Sequence, residues 1–292
     1  MDVPYDHLSL RMLEFARGLS DRAVHGIADL EERVVAADGG RLKLEWRVLR
    51  GRSGQAVEDL LWWDGERCLG FLGLYAFGAP TVEIAGMVDP SARRGGIATA
   101  LLDAALPFCL EREYDRALLV TPRSSAGGRA FALARGAALE HSEHALVLDR
   151  PPADGPVDPE LHLRLATVAD ADELALVLTA AFGAPAGDTA ARLAEDTSRT
   201  IVVERHGAIV ATVRLTREKD AGRIYGFAVD PPLQGRGIGR DVLRRVCRQL
   251  REEGAGRVGL EVAVDNDHAL GLYMSLGFAR VTTEDYYELP LG

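Results

Sequence analysis

The sequence predicts a mixed α/β protein built from two copies of one domain, and three observations carry that expectation. The chain has 292 residues, close to twice the length of a typical domain. Residues 88–98 read VDPSARRGGIA and residues 229–239 read VDPPLQGRGIG, so Val-Asp-Pro, one glycine and one isoleucine recur at an offset of 141. Through both halves, segments with the two-residue alternation of strands are interspersed with segments at helical spacing. The segment 149–159, DRPPADGPVDP, is rich in proline and turn residues and suits an extended linker. The expected organisation is an N-terminal copy over 1–150, a linker over 151–160 and a C-terminal copy over 161–292.

The second copy has the clearer pattern. A short strand is expected over 161–165 and a helix over 169–182. Strands over 200–204 and 209–216 flank His206-Gly207, a hairpin turn. A strand over 224–229 is broken by Asp230-Pro231-Pro232. The next helix, about 236–253, places Ile238, Val242, Leu243, Val246, Cys247 and Leu250 on one face and stops at Gly254. Val258, Leu260, Val262 and Val264 alternate along a strand, a helix follows over 267–276, and strands near 278–281 and 286–289 close the copy.

The first copy repeats this order from about Leu69, with strands over 68–77 and 82–88, a helix from Arg94 and a strand over 117–120. Its beginning differs, with helices expected over 8–17 and 21–36 and a strand over 41–49. Pro107 should kink or break its long helix. His141 and His144 alternate on a strand as two solvated histidines rather than a metal pair.

Composition excludes several classes. Hydrophobic residues make up 47% and charged residues 27%, an ordinary globular balance. The net charge is −10, and a cut near residue 157 leaves 18 basic and 23 acidic residues before it and 16 and 21 after. Each half carries −5, so neither is the basic domain that nucleic acid requires. Three separated cysteines, Cys68, Cys109 and Cys247, form neither a zinc motif nor a disulfide framework. No signal-peptide pattern opens the chain, and no apolar run approaches the ~18 residues that span a bilayer. A cytoplasmic protein without nucleic-acid or membrane partners, monomeric or homodimeric, is expected.

The most informative segment is Gln234-Gly235-Arg236-Gly237-Ile238-Gly239, between a strand and an amphipathic helix. Glycines let backbone approach a ligand, and free N–H groups at a helix start form an anion nest, with Arg236 and Arg240 adding charge. From these residues alone, a plain glycine-rich turn capping a helix stands as the alternative. The spacing matches neither a Walker A loop nor a Rossmann fingerprint.

Here the chain resembles the GNAT superfamily, the Gcn5-related N-acetyltransferases. Their signature Gln/Arg-x-x-Gly-x-Gly/Ala is met by Gln234, Gly237 and Gly239, and again by Arg93, Gly96 and Ala98. The run Asn266, Ala269, Leu272-Tyr273, Leu276-Gly277-Phe278 is similar to the family's second motif. The resemblance implies tandem domains, each a mostly antiparallel central sheet flanked by helices. It also implies that the turn holds the pyrophosphate of acetyl-CoA, the acyl donor, without a metal, and that Phe227, Ala228 and Val229 pair with the pantetheine arm. The matching residues of the first copy are Met87, Val88, Arg93, Arg94, Gly95, Gly96, Ile97 and Ala98.

Acetyl transfer to an amine needs a neutral nucleophile and a proton for the departing thiolate. Deprotonating a lysine-like amine at pH 7 costs about 4–5 kcal/mol, an α-amine only about 1 kcal/mol. The family's use of the motif tyrosine makes Tyr273 the expected acid. Glu261 lies twelve residues upstream, out of phase with the apolar face of its strand, and is the expected base, directly or through water; a structural or substrate-orienting glutamate is an equal alternative. Asn266 is expected to contact the coenzyme or cap the last helix. At offset 141 the first copy has Val120, Ser125 and Ala132 opposite Glu261, Asn266 and Tyr273. That copy retains the turn but not the chemistry, although Glu83, on the strand before its turn, keeps a different mechanism open. The expected function is acetyl-CoA-dependent N-acetylation of a primary amine, on a small molecule or peptide, in the C-terminal copy. Two alternatives stand beside it. One is a mycothiol-synthase-like enzyme, disfavoured because Arg223 occupies the position of that enzyme's base. The other is a non-catalytic acyl-CoA-binding module.

Overall fold

The computed structural model describes residues 11–77, 80–183, 185–195 and 199–291. It divides into two compact units, one running to Glu143 and including Thr282 onward, the other comprising His144–Val281. This division differs from the expected boundary in the proline-rich segment. The closing strand of each sequence copy is shared out differently: the end of the chain completes the first unit, while the residues from His144 begin the second. The proline-rich segment sits inside the second unit, where the Asp158 N–H donates to Asp241 Oδ2 at 2.9 Å and Arg245 donates to the Asp158 carbonyl at 2.6 Å.

In the first unit, β1 (Arg11–Ala16), β2 (Asp59–Asp64), β3 (Arg67–Ala76) and β4 (Thr81–Val88) form an antiparallel series. β4 then pairs in parallel with β5 (Arg116–Pro122) over Thr81–Ala85. The C-terminal part of the last strand adds antiparallel to β5, with Tyr286 opposite Val120. The long helix α1 (Asp21–Asp38) is capped by Ser20, whose hydroxyl accepts from the Ala23 N–H at 3.2 Å. Its Ala23, Ile27, Leu30 and Val34 recur at helical spacing and pack with Trp63, Phe71 and Tyr75. A Cβ at Gly26 would lie 2.6 Å from the Trp63 ring, so this approach requires glycine. The remaining helices are α2 (Trp46–Arg50), α3 (Ile97–Glu111) and α4 (Ala126–Ala134), and β6 (Ala138–Leu148) leads into the second unit.

Four expectations for this half are corrected. The part of the 8–17 stretch within the described residues is strand β1, not helix, because the edge of β2 offers it a six-residue ladder that outweighs local propensity. The strand expected over 41–49 is instead an irregular approach followed by α2, with Leu44 and Leu49 buried and the Trp46 indole donating to Glu31 at 2.9 Å. Of the kink or break expected at Pro107 the break is absent, since α3 continues through it as a helix, with Leu101, Leu102, Ala105 and Cys109 buried. His144 is also buried rather than solvated, and His141 stacks on Tyr286 at 4.1 Å.

In the second unit, β7 (His162–Leu165), β8 (Arg199–Arg205), β9 (Ala208–Glu218) and β10 (Ala221–Val229) are antiparallel in turn. β10 pairs in parallel with β11 (Arg257–Ala263), whose other neighbour is β6. α5 (Ala171–Phe182) and α6 (Thr189–Glu195) follow β7; α7 (Ile238–Glu252) follows β10. α8 (Asp267–Ser275) leads into β12 (Ala279–Leu289), one continuous strand where two were expected. The expected apolar face of α7, from Ile238 to Leu250, is buried in the core with Val258, Leu260 and Val262 of β11. Burial of each such side chain contributes about 2 kcal/mol.

Candidate active site

The second unit opens a wedge in its sheet. β10 and β11 pair only over Ala221–Arg223 and Arg257–Gly259, then part. Just beyond, the β9–β10 register slips between Tyr225 and Ala228, a bulge in which Gly226 has φ +52°. That backbone conformation favours glycine. The bulge takes Gly226 and Phe227 out of the ladder beside the parted strands. Ala228 and Val229 are buried and Phe227 is half-buried.

The turn after β10 follows from its glycines. Gly235 and Gly237 both adopt left-handed backbone, at φ +75° and +86°, and Gly237 begins α7 with no side chain capping it. The leading N–H groups of a 15-residue helix thus face outward with the dipole behind them. Gln234 is the brace, its amide donating to the Val229 carbonyl at 3.1 Å. A Cβ on Gly239 would meet Leu272 and Phe227 at 3.3 Å, so this glycine lets the helix start sit against the bulge and α8. Arg236 is exposed, Ile238 is buried in the core, and Arg240 donates to the Ser275 hydroxyl at 3.1 Å.

Tyr273 lies on α8, its ring edge-on to Phe278 at 5.9 Å between centroids. Only 7% of the residue is exposed, and burial pushes its phenol pKa up to about 12. Its hydroxyl makes no hydrogen bond to another described residue. Glu261 on β11 is partly exposed and lies 3.9 Å from Arg223, which projects from β10 where the strands part. Asn266 caps α8, its side-chain oxygen accepting from the Ala269 N–H at 3.1 Å.

The first unit retains the turn in altered form. Gly96 is left-handed at φ +82°, but the position of Gly235 is held by Arg94 at φ +65°. Arg93 donates to the Val88 carbonyl at 3.2 Å, as Gln234 does to Val229, while its other nitrogens grip Asp38 at 2.8 and 2.7 Å. Gly95 is exposed, Ile97 begins α3 in the core, and Ala98 takes the place of Gly239. β4 has no bulge: Met87 and Val88 stay in an unbroken ladder with β3. Ser125 caps α4 as Asn266 caps α8, so the cap is shared; Ala132 and Val120 are buried in apolar clusters.

Two features escaped the sequence reading. One is the bulge, whose signal was a glycine inside the apolar strand Ile224–Val229. The other is Lys43, one of only two lysines in the chain, which lies buried in the first unit. Its ammonium is 3.5 Å from Glu83 and 3.6 Å from Glu143 and bonds the Tyr286 hydroxyl. That hydroxyl in turn donates to Glu143 at 2.6 Å. Glu83, the open alternative in this unit, is thus tied up by an internal cation.

The family description "Acetyltransferase (GNAT) family" matches residues 23–136 and 171–278, one stretch for each turn. This chain belongs to that family. Among its relatives, the mycothiol acetyltransferase of Thermomonospora curvata is 30% identical, over 96% of this chain and 98% of the relative. The mycothiol acetyltransferase of Catenulispora acidiphila is 32% identical over 72% of each. A GCN5-related N-acetyltransferase from Sphaerobacter thermophilus superposes with a TM-score of 0.80 at 19% identity, covering 96% of both chains. A tandem GNAT protein from the clavulanic acid biosynthesis pathway gives 0.72 at 20% identity, covering 96% of this chain and 99% of that one. The mixed α/β architecture with two GNAT domains is therefore the family's tandem fold, and the chain is an acetyltransferase of a family that uses acetyl-CoA. Among the described residues no helix is long and apolar enough to cross a membrane.

Proposed function

We propose that the second unit transfers the acetyl group of acetyl-CoA to a primary amine by direct attack on the thioester. The residues present fit that donor. The left-handed pair Gly235 and Gly237, the uncapped start of α7 and the charge of Arg236 suit a pyrophosphate. The backbone at the Gly226–Phe227 bulge, outside the ladder, suits a pantetheine arm. Acetyl-CoA supplies an acyl group already activated as a thioester.

The protein's part is positioning and proton management. A nitrogen–carbon bond forms and a carbon–sulfur bond breaks, so one proton must leave the amine and one must reach the sulfur. Glu261 takes the first, directly or through water, and Tyr273 delivers the second. Arg223 lies 3.9 Å from the Glu261 carboxyl. With its pKa near 12, Tyr273 is protonated throughout the neutral range and ready to donate.

The observation that carries this reading is Tyr273, a buried phenol with no described partner, in the unit whose strand is bulged. Tyr273→Phe should lower kcat about 100-fold or more while the Kd for acetyl-CoA moves less than about threefold. Unchanged turnover would remove the assignment. The pH profile gives a second check, since kcat should show no tyrosine-linked fall below pH 10 and decline only as pH rises toward 12. A narrower reading, a mycothiol-type acceptor, is favoured by the relatives at 30–32% identity. Efficient acetylation of a cysteinyl-glucosaminyl-inositol would support it; failure with that acceptor alone would leave the broader reading standing.

A further inference from the structure

In the first unit, Glu83 on β4, Glu143 on β6 and Tyr286 on β12 converge on the buried ammonium of Lys43. The two carboxylates lie 3.5 and 3.6 Å from it. The Tyr286 hydroxyl accepts from the ammonium and donates to Glu143 at 2.6 Å. A primary ammonium carries three donors and no acceptor, so a ring of oxygen-bearing side chains suits it. The nitrogen also lies 4.8 Å from the centre of the Tyr286 ring, which is itself stacked with His141. At the offset of 141, Ile224 and Ala145 stand at the positions of Glu83 and Tyr286, and both are buried. The shared fold therefore does not require this arrangement.

Two observations mark the lysine as an occupant and the other groups as walls. The walls are strands, whereas Lys43 arrives on the stretch between α1 and α2, outside helix and strand. Gly39 and Gly40, at φ +70° and +77°, turn the chain out of α1, and Leu42 and Leu44 pack into the core on either side of Lys43. That stretch is thus anchored without its lysine. The Glu83 and Glu143 side chains also keep 23% and 28% of their surface exposed, against 8% for Lys43. Solvent reaches the carboxylates while the ammonium is enclosed, and a small free amine has the same approach.

We propose that Lys43 is a built-in occupant of a primary-ammonium pocket, an autoinhibitory contact that closes the first unit to free amines. The ligand class is a small primary alkylammonium, the chemistry of the lysine side chain itself. Cutting the side chain back to Cβ leaves the carboxylates and the phenol in place, and propylamine replaces the atoms from Cγ to Nζ. The proposal is independent of the chemistry assigned to the second unit.

The test compares the full-length parent with Lys43→Ala and Lys43→Met by thermal unfolding. Each is melted in ~50 mM propylammonium chloride, propan-1-ol or tetramethylammonium chloride. Propylammonium should raise the melting temperature of Lys43→Ala by about 3 °C or more beyond its effect on the parent. Lys43→Met, whose side chain still fills the space of the lysine stem, should gain less than about 1 °C. The alcohol lacks the charge and tetramethylammonium lacks the N–H donors, so neither should stabilise either variant. Adding Glu83→Gln to Lys43→Ala should remove the gain. No gain in Lys43→Ala, a gain matched by either control compound, or an equal gain in Lys43→Met would overturn the proposal and leave Lys43 a structural cation. So would a gain that persists with Glu83→Gln. Should Lys43→Ala not fold unaided, refolding in propylammonium but not in propan-1-ol should recover it, and failure there overturns the proposal as well.

Discussion

The two units carry the same turn and put different backbone beneath it. In the second unit, β10 leaves its ladder at Gly226–Phe227 and pairs with β11 over only three residues. In the first, β4 keeps its ladder with β3 unbroken and pairs with β5 over five. The second therefore has main-chain groups to offer a ligand and a gap to receive it, while the first uses the equivalent groups on itself. The side chains follow the same division. Where Tyr273 stands in one, Ala132 fills the core of the other. The charged groups of the first unit, Lys43, Glu83, Glu143 and Arg93 with Asp38, are paired with one another. A duplicated fold thus becomes unequal through one bulge and a few side chains, without losing its architecture.

The comparison can be broken at several points. The largest expected effect is at Glu261: Glu261→Gln should lower kcat about 100-fold, with acetyl-CoA affinity retained. Steady-state kinetics beside a binding isotherm would show whether the loss lies in chemistry. A smaller effect falls on stability in the first unit. Lys43→Met leaves Glu83, Glu143 and Tyr286 without their shared cation and should cost about 2 kcal/mol, since both carboxylates are partly exposed. Thermal unfolding should show a melting temperature lower by roughly 4–8 °C. Burial holds the Tyr286 phenol well above the usual range, so it is protonated at every pH of such an experiment.

The smallest effects come from exchanging the turn residues. Arg94→Gly should stabilise the protein by about 1 kcal/mol by relieving a left-handed arginine. Gly235→Arg should cost about the same and also raise the KM for acetyl-CoA. If both exchanges changed the KM alike, the two turns would be functionally equivalent and the comparison would fail.

Much of this inequality was legible in the sequence, and the limits were physical. The offset of 141 aligned Tyr273 with Ala132 and Glu261 with Val120 because side-chain identity survives alignment of a repeat. Both turns were visible because left-handed backbone demands glycine at Gly96, Gly235 and Gly237, and the face of α7 was visible because burial imposes helical spacing. The bulge was not, since a register shift depends on the partner strand, and Gly226 alone does not say which way the strand bends. The strand β1 was misread as helix for the same reason, its partner β2 lying more than forty residues away. The unit boundary also depends on a nonlocal choice, namely that the C-terminal residues pair with β5.

One measurement tests the central claim, that the second unit performs the chemistry and the first does not. Glu83→Gln removes the one carboxylate on β4, the residue that would serve a rival mechanism in the first unit, and its kcat can be measured beside that of Tyr273→Phe. Glu83→Gln should retain kcat within about twofold of the parent, while Tyr273→Phe should lose about 100-fold or more. A loss at Glu83 comparable with that expected at Tyr273, in a protein of unchanged acetyl-CoA affinity, would place the reaction in the first unit and contradict it.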